Sequence, residues 1–126
     1  MSIHLFDLTG KVALITGATH GLGMAMAKGL GHAGATIVVT GNSSQTKLDE
    51  AVVTYKSLGL NAHGYLFDVT DEKSVKTNIE NIESEVGPID ILINNAGIIK
   101  RTPLVDMEVS DFEEVIKVDL VSPFIV

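Results

Sequence analysis

The sequence predicts an α/β fold with a doubly wound parallel sheet, and three observations point to it. Short β-branched segments alternate with amphipathic stretches, as in successive strand–helix–strand units. The first apolar segment is almost uninterrupted, as expected of a strand covered on both faces. A composition of 45% apolar and 20% charged residues over 126 residues suits a globular α/β core. We therefore expect residues 1–126 to form one domain or part of a larger one.

The first predicted unit contains two strands and the helix between them. Strand one covers residues 11–16, with Val-Ala-Leu-Ile at its centre. Helix one covers about residues 21–33, and Gly34 is the expected C-cap because glycine readily adopts the left-handed conformation found there. Strand two covers residues 36–40, which read Thr-Ile-Val-Val-Thr.

Two further helices are predicted from apolar residues that recur at the helical period. Helix two covers about residues 45–58 and helix three about residues 71–86, with strand three between them at residues 61–67. The apolar face of helix two consists of Leu48, Val52 and Tyr55, and that of helix three consists of Val75, Ile79, Ile82 and Val86. A glycine follows each helix, Gly59 after helix two and Gly87 after helix three, and marks its predicted end.

Strand four covers residues 89–94, and a fourth helix is expected to open at Ser110. Glu113 follows three residues later, which matches a capping box. The inner side of this helix is predicted to carry Phe112, Ile116, Asp119 and Pro123. Right-handed crossovers give the strand order 3-2-1-4, with a ligand-binding switch point between strands one and four.

A glycine-rich turn joins strand one to helix one and reads Thr-Gly-Ala-Thr-His-Gly-Leu-Gly. Gly17 permits the tight turn, Gly21 lets the backbone approach a pyrophosphate, and Gly23 allows close helix packing. Tight turns in unrelated folds show the same glycine spacing, but the apolar strand before it and the helix after it favour a dinucleotide site with a Rossmann-like architecture. The predicted cofactor-binding residues here are Gly17, Thr19, His20, Gly21, Leu22 and Gly23.

The end of strand two bears on the choice between the two nicotinamide cofactors. An acidic side chain there would bind the ribose 2′-hydroxyl and repel a 2′-phosphate. This sequence offers Asn42 and Ser43 instead, with neither a carboxylate nor an arginine, and His20 as a further polar neighbour. An ordinary polar turn is an equally good interpretation. The pattern slightly favours NADP over NAD.

The ends of strands three and four carry the other predicted cofactor contacts. Asp68 and Val69 can contact an adenine edge, and Asp68 can also cap the next helix. After strand four, Asn95 can tie neighbouring strands, while Ala96 and Gly97 leave room for a ribose and nicotinamide. An ordinary turn would not need the two consecutive asparagines found here.

Two charged positions beyond strand four are candidates for substrate contacts or for plain structural roles. Arg101, in a basic pair with Lys100, could bind a substrate carboxylate bidentately, although a solvated loop explains the pair almost as well. Asp119 places a carboxylate on a predicted apolar face, so it is either hydrogen-bonded or not buried. The remaining histidines lack ligand spacing, and no metal site is expected.

Composition argues against several function classes. The net charge of −7 and pI near 4.9 disfavour a nucleic acid partner, which would need clustered basic residues. The chain has no cysteines, and no run approaches the roughly 20 apolar residues of a membrane span. No basic segment precedes an apolar one at the N-terminus, so no secretory signal is expected. We expect a soluble cytoplasmic protein that does not bind membranes.

Taken together, these motifs resemble the short-chain dehydrogenase/reductase (SDR) family along the whole chain. The residues that carry the resemblance are Gly10-Lys11-Val12-Ala13, the glycine turn, Asp68-Val69 and Asn94-Asn95-Ala96-Gly97. Within the family, Phe6-Asp7-Leu8, Gly87-Pro88-Ile89-Asp90 and Ile98-Ile99-Lys100-Arg101 are most similar to gluconate 5-dehydrogenases and keto-deoxygluconate enzymes. The resemblance implies an oxidoreductase that uses NAD(P), a small sugar-acid substrate and a homo-oligomer, commonly a tetramer.

Two departures from the family concern catalysis. The resemblance implies a general acid/base tyrosine in a Tyr-x-x-x-Lys pair and a serine on a fifth strand, but Tyr55 and Tyr65 are followed four residues later by Gly59 and Val69. The helix-four asparagine of the family corresponds to Asp119. We therefore expect a chain truncated before strand five with negligible turnover alone. A truncated gene product, a binding-only module and one piece of an assembly remain alternatives.

Overall fold

Four parallel strands alternate with helices in residues 4–126, the part of the chain that the computed structural model describes. The strands are β1 (Val12–Ile15), β2 (Thr36–Gly41), β3 (Ala62–Leu66) and β4 (Ile91–Ile93). The helices are α1 (Gly21–His32), α2 (Gln45–Ser57), α3 (Glu72–Glu85), α4 (Val109–Ile116) and α5 (Ser122–Ile125), with a π-helical turn at Lys117–Val121 and 3₁₀ turns at His4–Phe6 and Leu104–Asp106. The first three residues of the predicted domain lie outside the described residues.

The strands are arranged in the order β3-β2-β1-β4, and all pairings are parallel. The central strand β1 pairs with β2 from Val12 opposite Thr36, and with β4 from Ala13 opposite Ile91. The predicted fold class and strand order are confirmed. Because the connections diverge from β1 in opposite directions, the carboxyl ends of β1 and β4 lie at the switch point of the sheet.

Side chains of β1 and β2 alternate between two apolar layers, one on each face of the sheet. Ala13, Ile15, Ile37 and Val39 belong to a layer that includes Leu48 and Tyr55 of α2 and Ala27 of α1. Val12, Leu14 and Val38 pack with Ile82 of α3. The predicted apolar faces of α2 and α3 are therefore confirmed, and β1 is covered on both faces as its continuous apolar sequence indicates.

The fourth helix begins differently from its prediction. It begins at Val109 with Glu108 at the N-cap and no side-chain cap, so the capping box predicted at Ser110 and Glu113 is wrong. The N–H groups of Asp111 and Phe112 bond instead to the Glu108 carbonyl. Ser110 thus already lies inside the first turn, where its hydroxyl cannot act as an N-cap.

The predicted inner face of this helix is only partly correct. Ile116 and Pro123 are half-buried, whereas Phe112 is 57% exposed and Asp119 is exposed. The π-helical turn at Lys117–Val121 changes the helical phase, so residues before and after it do not share one face.

Candidate functional site

A cleft of about 570 Å³ opens at the carboxyl ends of β1 and β4. It contains every predicted cofactor-binding residue except Ser43, namely Gly17, Thr19, His20, Gly21, Leu22, Gly23, Asn42, Asp68, Val69, Asn95, Ala96 and Gly97. Ser43 is exposed just outside it. The topology therefore brings together segments that are up to 80 residues apart in the chain, as the hydrogen bond between Ala96 and Thr16 illustrates.

Two glycines of the turn adopt backbone conformations that disfavour other residues. Gly17 has φ +66° and Gly21 has φ +59°. A Cβ on Gly17 would lie 2.9 Å from the Ala96 Cα, whereas a Cβ on Gly21 would meet nothing within 4 Å. Gly17 is thus required by close contact with the loop after β4, and Gly21 leaves open space on the cleft side.

Gly23 permits the closest packing in the site. A Cβ there would lie 2.5 Å from Asn95 Nδ2 and 2.6 Å from the Gly17 carbonyl oxygen. The sequence predicted packing of the helix on its strand, and the structure shows that the contact is with the turn and with Asn95. A substitution at Gly23 would therefore displace both.

The first turn of α1 keeps its backbone donors open. Its N-cap residue, His20, makes no side-chain cap hydrogen bond, and the first turn contains no acidic residue. By contrast, Ser44 caps α2 by accepting from the Lys47 N–H, and Asp71 caps α3 by accepting from the Ser74 N–H. The positive end of the α1 dipole therefore faces the cleft without a side chain to satisfy it.

The glycine turn is held by hydrogen bonds to Thr40 of β2 and to the loop that follows β4. Thr16 Oγ1 accepts hydrogen bonds from the N–H groups of Asn95 and Ala96, at 3.1 and 3.0 Å. Thr40 Oγ1 accepts from the Gly17 N–H at 3.1 Å. Asn95 Nδ2 donates to the carbonyl oxygens of Thr16 and Gly17, at 3.1 and 3.0 Å. Asn95 thus ties strands together as predicted, while Thr16 and Thr40 were missed, although each is a polar residue at the end of an apolar strand.

Asp68 forms a turn with Thr70 at one side of the cleft. Its Oδ1 accepts from the Thr70 N–H at 2.9 Å and from the Thr70 hydroxyl at 2.7 Å. These two hydrogen bonds, and to a lesser extent the positive charge of Lys117, lower the pKa of the Asp68 carboxyl. Asp71 and not Asp68 caps α3, and Asp68 is an ionised group at the cleft edge.

The opposite wall contains residues of α4 and the π-helical turn that the sequence did not reveal. Glu114, Lys117 and Val118 line the cleft, as do Gly41, Thr70 and Ile98. The spacing of Glu114, Lys117 and Val118 at three and four residues is the signal that could have identified them as one helix face. The spacing alone does not indicate which part of the fold that helix face packs against.

The two basic residues after β4 have different surroundings. Lys100 donates to Asp111 at 2.6 Å and to Glu114, and these hydrogen bonds raise the pKa of its ammonium group. Arg101 is exposed, does not line the cleft and has no ion pair within residues 4–126. Asp119 Oδ1 accepts from the Ile98 N–H at 2.9 Å and thereby holds the loop that follows β4.

The described part of the chain offers neither a metal site nor a helical membrane span. Residues 4–126 contain no group of three or more acidic or histidine side chains arranged to bind a metal ion. None of the helices formed by these residues combines the length and apolar character needed to cross a bilayer.

The chain is similar to proteins of one family over nearly its whole length. The family model described as short chain dehydrogenase matches residues 11–126. The 2-dehydro-3-deoxy-D-gluconate 5-dehydrogenase of Formosa agariphila is 68% identical over 126 residues, which are 100% of this chain and 48% of that protein.

The chain is also similar to solved structures of sugar-acid dehydrogenases. The crystal structure of 2-keto-3-deoxy-D-gluconate dehydrogenase from Streptococcus agalactiae is 52% identical with a TM-score of 0.84, covering 96% of this chain and 45% of that one. That of a gluconate 5-dehydrogenase from Burkholderia cenocepacia in complex with NADP and tartrate is 39% identical with a TM-score of 0.86, covering 94% and 46%. The chain thus spans about half the length of the relatives it matches. It belongs to the short chain dehydrogenase family.

Proposed function

We propose that this chain binds the dinucleotide of an oxidoreductase that transfers a hydride between NAD or NADP and a hydroxyl or keto carbon of a sugar acid. The observation that carries the proposal is the uncapped first turn of α1, which opens into the cleft beside Gly21. Bare N–H groups at a helix N-terminus, approached over a residue without a Cβ, are the usual partners of a pyrophosphate.

The lining of the cleft divides into three regions with different roles. The turn at residues 17–23 would hold the pyrophosphate, Asp68 and Val69 the adenine, and residues 95–97 the ribose and nicotinamide. When bound, the nicotinamide supplies or accepts the hydride at its C4 atom. The residues of this chain bind and orient, since the hydroxyls of Tyr55 and Tyr65 donate to other protein groups outside the cleft.

The end of β2 supports a preference for NADP. No carboxylate stands there to repel a 2′-phosphate, and His20 and Asn42 both line the cleft. Ser43 would take part only if the ligand extended beyond the cleft, because its side chain lies outside. The Burkholderia cenocepacia relative was crystallised with NADP, which agrees with this choice.

A sugar-acid substrate is supported by the names of the relatives and by the surroundings of Arg101. Lys100 forms ion pairs with Asp111 and Glu114, whereas the guanidinium of Arg101 forms no ion pair within residues 4–126 and can bind a carboxylate. A planar guanidinium binds a carboxylate through two parallel hydrogen bonds. We therefore assign the contact with the substrate carboxylate to Arg101, for a substrate that extends beyond the cleft lining, because Arg101 itself lies outside it.

Two broader properties belong to the same proposal. We expect the protein to form homo-oligomers, because large apolar side chains such as Val105 and Phe124 are 92% exposed. We also expect a cytoplasmic location, which cell fractionation would test.

Calorimetric titration of the purified chain with NADP⁺ and NAD⁺ tests the cofactor site. We expect saturable binding of both cofactors, with NADP⁺ bound more tightly. Gly21→Ala should weaken binding by about tenfold or more, because the methyl group enters the cleft and alanine is strained at φ +59°.

Gly29→Ala is the matched control within the same helix. Gly29 lies in α1, and a Cβ added there would meet nothing within 4 Å. Alanine should therefore raise the free energy of unfolding by about 0.5–1 kcal/mol and leave affinity unchanged. Absence of saturable binding of either cofactor by the unaltered chain at millimolar concentration would overturn the proposal.

A further inference from the structure

Tyr55 links α2 to the glycine turn through a buried hydrogen bond. Its side chain is fully buried, and its hydroxyl donates to the Ala18 carbonyl oxygen at 2.6 Å. Ala18 follows Gly17 directly and is itself fully buried. A buried tyrosine needs a partner for its hydroxyl, and here that partner is the backbone of the turn.

This hydrogen bond also determines the direction of an N–H group. In a trans peptide the carbonyl and the following N–H point in opposite directions. Because the Ala18 carbonyl points to Tyr55, the Thr19 N–H points away from it, and Thr19 lines the cleft. Within residues 4–126, no protein acceptor takes the Thr19 N–H.

The two peptide groups before the Ala18–Thr19 peptide are hydrogen-bonded at both their carbonyl and their N–H ends. The carbonyls of Thr16 and Gly17 accept from Asn95, and the N–H groups on the other side of those peptides donate to Thr40 Oγ1 and to the Thr40 carbonyl. Both ends of these peptides are therefore fixed. The Ala18–Thr19 peptide is fixed at its carbonyl end by Tyr55, and its N–H end is open.

We propose that Tyr55 is a positioning residue for dinucleotide binding, which holds the Ala18–Thr19 peptide so that the Thr19 N–H can donate to a phosphate oxygen. The inference rests on the proposed function. It assigns to α2, which contributes no side chain to the cleft, a part in forming it. Burial raises the pKa of the Tyr55 hydroxyl to about 12, so the donor keeps its proton at physiological pH.

Tyr55→Phe removes the hydroxyl and keeps the ring. Calorimetry should show an NADP⁺ dissociation constant raised about three- to tenfold, as expected for the loss of one positioning hydrogen bond. Tyr65→Phe is the matched control, because the Tyr65 hydroxyl donates to Glu85 at 2.5 Å outside the cleft. Its dissociation constant should stay within about twofold of the unaltered chain.

The Thr19 amide gives a second measurement that needs no variant. In ¹H–¹⁵N spectra of the unaltered chain, its proton resonance should move downfield when NADP⁺ binds, because it enters a hydrogen bond to an anionic oxygen. In Tyr55→Phe saturated with NADP⁺, that shift should be smaller. The shift is taken between the free and NADP⁺-saturated forms of the same chain, so a packing change present in both forms does not contribute to it.

The outcomes separate this inference from the proposed function. If the unaltered chain binds neither cofactor, the proposed function fails and the inference fails with it. If the chain binds NADP⁺ but the Thr19 resonance does not move, or if Tyr55→Phe binds as tightly as the unaltered chain, only the inference fails. Equal losses of affinity in Tyr55→Phe and Tyr65→Phe would also overturn it.

Discussion

Asp119 places a carboxylate among apolar neighbours in the π-helical turn at Lys117–Val121, and its contacts explain how the fold accommodates it. The side chain is exposed, and its Oδ1 accepts the Ile98 N–H. A carboxylate that stays in water and gains a donor avoids the penalty of burying a charge. Because Gly97 and Ile98 line the cleft, the hydrogen bond also holds one of its walls.

We expect Asp119→Ala to lower the free energy of unfolding by about 1 kcal/mol, because the Ile98 N–H loses its acceptor. Asp119→Asn keeps an oxygen at the same place and should stay within about 0.5 kcal/mol of the unaltered chain. Urea unfolding at pH 7 measures both, with Asp106→Ala as the control for loss of a charge elsewhere. If Asp119→Asn is as destabilised as Asp119→Ala, the charge and not the hydrogen bond is what matters.

At the scale of elements, the helices differ in how their N-termini are satisfied. Side chains cap α2 and α3, and the first turn of α1 faces the cleft without a cap. The motif at Ser110 and Glu113 matches a capping box, but the 3₁₀ turn at Leu104–Asp106 is followed by a helix that starts two residues earlier than the motif requires. A local capping motif is therefore not enough to determine where a helix begins.

The caps can be compared by removing them. Asp71→Ala should lower the free energy of unfolding by about 1 kcal/mol, because the Ser74 N–H loses its acceptor and the helix dipole loses a favourable charge. Ser110→Ala should change it by less than about 0.5 kcal/mol, since Ser110 caps nothing. Chemical denaturation of the two variants in parallel gives the difference. Similar losses at both positions would mean that Ser110 does act as a cap.

At the scale of the whole molecule, the strand order and most of the cleft follow from local signals in the sequence. Each buried strand is an apolar run, and the residues after β1, β3 and β4 meet because parallel strands share one carboxyl edge. The roles of Thr16, Thr40 and Tyr55 could not be predicted in this way. Their hydrogen bonds join segments 23 to 80 residues apart, so they depend on how the elements pack.

Local sequence patterns also could not predict which apolar side chains are exposed. These exposed side chains bear on whether the chain associates with itself. Eight large apolar side chains that are exposed lie between Ile99 and Phe124, including Leu104, Leu120 and Phe124. A period of apolar residues indicates a buried face only when another element covers it. Among the described residues, nothing covers these side chains.

We therefore expect the chain to self-associate through these exposed apolar side chains in a concentration-dependent manner. Burial of one phenylalanine contributes about 1.5–3 kcal/mol, whereas the repulsion between chains of net charge −7 is screened beyond about 8 Å at physiological salt. Phe124→Glu should raise the dissociation constant of the oligomer at least about tenfold, since about 1.4 kcal/mol corresponds to that factor. Val53→Glu, at a position 66% exposed on α2, is the control and should leave it unchanged. Sedimentation velocity over a range of concentrations measures both, and an unaltered chain that stays monomeric throughout, at low and high salt, would show that the exposed apolar surface does not mediate association.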